Sequence, residues 1–105
     1  MEMTTTVKLV KLDGRHRGYR DWRWYVEAPR TRPIEGSKRM FFEWRNWCWL
    51  EWGPSKELLE YNHYDLFDGV YASNNHWCWR NDETSRARIY FKADEDASAF
   101  ALRWI

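Results

Sequence analysis

Three Trp-x-Trp triplets constrain this chain more than anything else in it: Trp22-Arg23-Trp24, Trp47-Cys48-Trp49 and Trp77-Cys78-Trp79. Side chains alternate faces along a strand, so both indoles of such a triplet point the same way if the segment is extended. Three strands of this kind would build a wall of aromatic surface. Small monomers rarely leave so large an apolar patch uncovered without a function.

The pattern along the chain predicts a β-β-β-α-β-β-α order. Thr4 to Leu12 alternates and is β-branched, with Val7 and Leu9 on one face and Val10 and Leu12 on the other. Asp13-Gly14 marks a turn. Tyr19 to Glu27 forms the second strand, with Trp22, Trp24 and Val26 together on one face. Arg39 to Trp52 is the longest aromatic run and is read as a long, bent third strand. A short helix follows over Lys56 to His63, capped by Ser55. His76 to Arg80 and Arg86 to Lys92 form a hairpin. The last segment is a helix with Asp94 as its cap and an apolar stripe of Ala97, Phe100, Ala101 and Trp104. The expected class is α+β in one domain over residues 1–105. An antiparallel sheet of four to five strands carries two helices on one face, ferredoxin-like or a variant of it.

Composition narrows the function. At 105 residues with 19% aromatics, few side chains can fill a core, while 31% charged residues keep the surface solvated. No apolar run approaches the roughly 20 residues of a spanning helix, and no signal peptide is visible. The expected compartment is therefore the cytoplasm, with Cys48 and Cys78 reduced. The net charge of +1 divides unevenly, +5 over residues 1–47 and −4 over residues 48–105. Catalytic signatures are missing, no cofactor motif is present, and the three histidines lack metal spacing. His63 with Asp65, His76 with Asp82, and the shared-face pair His76 and Cys78 are the pairings available for acid–base or metal chemistry. The expectation is a non-enzyme without cofactor or metal.

Arginine interleaves with tryptophan, and this fits two binding modes. Interface cores are rich in Trp, Tyr and Arg. Exposed rings also stack unpaired bases while Arg neutralises phosphate. The candidate binding residues are Trp22, Arg23, Trp24, Arg45, Trp47 and Trp49, on one sheet face, with Phe100 and Trp104 in the core. A protein partner is the first reading, with Cys48 near it. Single-stranded nucleic acid or a nucleotide is the alternative, and a homodimer that buries the aromatic face on itself stays open.

One segment carries a resemblance. Ile89, Phe91, Asp94, Asp96, Ala97, Phe100, Leu102, Arg103 and Trp104 follow a strand, an acidic turn and a helix ending Phe-x-Leu-Arg-Trp. This resembles the ending of small uncharacterised proteins of tailed bacteriophages. The resemblance implies a phage protein made in a bacterial cytoplasm, engaging a host or phage protein or serving as a virion component. The unit itself is a packing motif and implies no activity.

Overall fold

The computed structural model describes residues 7–15, 22–29, 34–55, 74–81 and 87–105. It is an α+β fold in the order β1 (Leu9–Lys11), β2 (Trp24–Glu27), α1 (Glu35–Trp52), β3 (Trp77–Arg80), β4 (Arg88–Phe91) and α2 (Asp94–Trp104). The sheet order is β1-β2-β4-β3, and every neighbouring pair is antiparallel. Because β2 and β3 both oppose β4, they run the same way. β2-α1-β3 is thus a split β-α-β unit with β4 inserted in its gap. The ferredoxin-like order itself is not observed: β1 stands at the front of the chain, whereas β-α-β-β-α-β places the corresponding strand last.

Both helices pack on one face of the sheet. There, Phe41, Trp44 and Cys48 of α1 meet Ala97 and Phe100 of α2 over Val26, Trp77, Ile89 and Phe91. The opposite face holds a smaller cluster of Leu12, Trp22, Tyr25, Cys78 and Tyr90. The register Val10–Tyr25–Tyr90–Cys78 runs straight across this second face. The alternation expected in β1 is borne out, since Val7 and Leu9 lie against the first cluster while Val10 and Leu12 belong with the second. The turn after it is also as expected: the Asp13 carboxylate accepts the Arg15 backbone N–H at 2.9 Å.

The main correction concerns residues 39–52, read as a strand and found within α1. Phe41, Trp44 and Cys48 are buried, and Ser37 is buried one turn earlier. That spacing is helical, and the run contains no glycine or proline. Closely spaced aromatics fit a period of 2 and a period of 3.6 almost equally well, and tryptophan's strand preference favours the first. Length was the better guide, because 14 residues are long for a strand and ordinary for a helix. The expected helix over 56–63 lies outside the described residues.

Gly53 ends α1 with φ 92° and ψ 178°, a conformation that is essentially glycine's alone. Its N–H donates to Trp49 O at 2.8 Å. Asn74 then ties the helix end to the start of β3. Its Nδ2 donates to the carbonyls of Trp52 at 2.8 Å and Pro54 at 3.1 Å. Its Oδ1 accepts the N–H of His76 at 2.8 Å and of Trp77 at 3.3 Å. The Trp77 indole donates to Gly53 O at 2.9 Å, and the Ser55 hydroxyl donates to Trp77 O at 2.6 Å. Ser55 is therefore a strand-edge clasp.

α2 keeps its expected stripe, with Phe100 fully buried and Trp104 packed against the same core. Asp94 is not its cap. Ala93 occupies that position in an extended conformation, while the Asp94 carboxylate accepts the Trp24 indole N–H at 2.8 Å. Among the described residues, no helix is long and apolar enough to cross a membrane.

Candidate functional site on the outer face of helix α1

The six residues read as one sheet face fall in three places. The 22–24 triplet bends at Arg23, so its indoles separate. Trp22 is buried in the second cluster with Lys92 Nζ 5.2 Å from its ring centre. Trp24 turns to the helix side and bonds Asp94. Arg23 is exposed, 4.0 Å from the Asp94 carboxylate. The 47–49 triplet is helical, which sets residues two apart on different faces. Trp47 turns inward, edge-on to Trp52 at 5.3 Å and to Phe100 at 5.9 Å. Trp49 turns outward and stays 48% exposed. Only 77–79 keeps both indoles on one side as a strand requires, and Trp77 and Trp79 both join the helix-side core.

This arrangement brings together Arg45 and Trp49, and adds Phe42 and Asn46, which the sequence reading had left off the candidate surface. The four lie at i, i+3, i+4 and i+7 of α1 and line a shallow cavity of about 300 Å³. Phe42 is 49% exposed, and Leu50, next to Trp49 in the chain, is 76% exposed. The spacing of 42, 45, 46 and 49 was the available signal, masked by the strand assignment.

Arg45 is held in place by aromatic rings. Its guanidinium carbon lies 4.6 Å from the Trp79 ring centre, 5.1 Å from Phe42 and 5.9 Å from Phe41. Among the described residues no carboxylate pairs with it. Stacking of this kind contributes roughly 0.5–2 kcal/mol and fixes the plane of the cation. The surface therefore offers a positioned planar donor between two half-open rings.

Cys48, expected near a partner, is instead buried under this surface, among the core side chains. Burial pushes its thiol well above the usual range, with Glu51 and Asp96 adding to the effect. A thiol held neutral and out of reach is unreactive. Iodoacetamide at pH 8 is expected to leave Cys48 unmodified in the folded chain and to modify it fully in urea, read by intact mass. Rapid labelling without denaturant would contradict this packing.

His76 forms a pairing that the sequence did not suggest. Its Nδ1 lies 2.8 Å from the Asp96 carboxylate, and its ring stacks on Trp52 at 5.8 Å with 9° between planes. The contact joins the turn before β3 to the first turn of α2. Asp82, His63 and Asp65 lie outside the described residues. His76 and Cys78 do not share a setting, since Cys78 belongs to the opposite cluster. Among the described residues no group of three His, Cys, Asp or Glu side chains is placed to hold a metal. The nearby Ser55 hydroxyl is already committed to Trp77 O.

A second shallow cavity of about 220 Å³ is lined by Lys8, Val10, Tyr25, Glu27 and Pro29 on the other side of the sheet. Arg88 stacks over Tyr25 there at 4.2 Å and donates to Glu27 at 2.8 Å. These groups satisfy one another. Comparisons with protein-family models, curated proteins and solved structures found no match for the chain.

Proposed function

We propose that this chain is a non-enzymatic binding module that engages a protein partner through the outer face of α1. One observation carries the reading. Eight of the nine indoles are buried or packed against a core cluster, while Trp49 is not, and it stands with Phe42 on either side of the ring-held Arg45. Interface cores are enriched in these residue types, and such anchors dominate measured binding energies. The resemblance of residues 88–104 to tailed-phage proteins suggests a host or phage protein as the partner.

The test is capture by the tagged chain from nuclease-treated bacterial lysate, comparing wild type with Trp49→Ala and Phe42→Ala. Each substitution is expected to lower stoichiometric capture by about tenfold or more. Folding stability should change by under about 1 kcal/mol, because both rings are half exposed. Capture that survives both substitutions unchanged would remove α1 from the interface. Bound material that disappears with nuclease, and weakens steeply with salt, would replace a protein partner with single-stranded nucleic acid.

A further inference from the structure

The outer face of α1 carries a regular seam. Glu35, Arg39, Phe42, Asn46, Trp49 and Gly53 follow one another at alternating steps of four and three residues. This is the spacing by which one helix lays a continuous edge against another. The five side chains of the seam are exposed, and the more exposed Leu50 lies alongside.

We propose that this seam pairs antiparallel with the same seam of a second copy of the chain, giving a two-fold dimer. The inference rests on the reading of α1 as a protein-recognition face and names its occupant. Charge decides the orientation. Parallel pairing sets Arg39 against Arg39 and Glu35 against Glu35, like charge on like. Antiparallel pairing centred on Trp44, near the middle of the helix, sets Arg39 against Trp49 of the second copy and Phe42 against Asn46. Symmetry repeats each contact.

Arg39 then has an aromatic face to stack on, and Trp49 gains a cation at its outer side. The last turn of α1 contains no basic residue, and its carbonyl end is electronegative. Lys38 and Arg39 of the second copy bring positive charge near that end and outweigh Glu35, which the same register sets against Gly53. The two helix dipoles also oppose each other in this arrangement.

Cross-linking through engineered cysteines reads both pairing and direction. Cys48 and Cys78 are buried and give little background. In the proposed dimer the two copies of position 46 lie within about 12 Å, and the two copies of position 35 lie on the order of 27 Å apart. A short bismaleimide with the reach of the 46–46 separation should therefore join Asn46→Cys into a two-chain species and leave Glu35→Cys as single chains. Sedimentation of the wild type should show mass rising toward two chains as concentration approaches about 1 mM. Arg39→Glu should shift it back toward one chain with the melting temperature of the dilute protein unchanged.

Cross-linking of Glu35→Cys would overturn the antiparallel geometry. A single-chain mass at every concentration, with no Asn46→Cys product, would overturn the dimer. If Trp49-dependent capture from lysate persists in that case, the α1 face remains a recognition surface for a different protein. If capture is lost as well, both readings fall.

Discussion

Trp77→Ala is expected to destabilise the fold by about 3–5 kcal/mol, the largest effect of any single substitution considered. Trp77 is fully shielded from solvent in the helix-side core. Its indole also reaches the end of α1, donating to Gly53 O at 2.9 Å. Removing it leaves a large cavity between β3 and α1 and withdraws a hydrogen bond from a carbonyl. Domains of this size have roughly 5–15 kcal/mol in total, so the variant should melt far lower or fail to fold. Trp77→Phe separates the two contributions. It keeps most of the ring volume and loses the indole N–H, for an expected cost of about 1–2 kcal/mol beyond the packing change. Urea titration of both variants checks this. A cost below about 1 kcal/mol for Trp77→Ala would mean that β3 does not pack as described.

Asn74→Ala is expected to cost about 2–3 kcal/mol, although Asn74 is neither apolar nor fully buried. One side chain serves carbonyls at the end of α1 and amides at the start of β3. Alanine leaves all of them to water that reaches only part of the site. Asn74→Asp gives the sharper test. Its carboxylate can still accept from His76 and Trp77 N–H, but it faces the carbonyls of Trp52 and Pro54 at the negative end of a helix. The folded state therefore raises this carboxyl above its ordinary pKa of about 3.9. The ionised form is destabilised in the fold, so Asn74→Asp should lose stability as pH rises through that range and regain it as pH falls. The difference between variant and wild-type denaturant midpoints, taken at pH 4 and at pH 7, reads the sign. The same difference at both pH values would show that Asn74 does not face the helix end.

What was legible in the sequence followed from local alternation. Val7, Leu9, Val10 and Leu12 divide between two faces because a short strand has no other option. Residues 88–91 and 94–104 form the strand and helix that their pattern requires, and Phe100 is core. Trp49 and Arg45 were named among the candidate residues, and they do stand together. A strand over 39–52 would set Phe42, Asn46 and Leu50 on the face away from Trp49 and Trp47 beside it, whereas the helix brings Phe42 and Asn46 to Trp49 and turns Trp47 inward.

Asp94 shows the limit differently. Its type and position fit a cap, yet a tryptophan 70 residues away takes its carboxylate. No local pattern contains that distance. Trp22 and Trp24 were likewise separated by the backbone bend at Arg23, where the Arg23 N–H donates to Phe91 O at 2.9 Å. Sheet pairing overrode the expected alternation.

The amino-acid order alone set the α+β class and the two-faced strands, because periodicity acts within a few residues of chain. Tertiary packing decided which rings stay outside. Once α1 turned Phe41, Trp44 and Cys48 toward the sheet, its 3.6-residue turn left Phe42, Asn46 and Trp49 facing water.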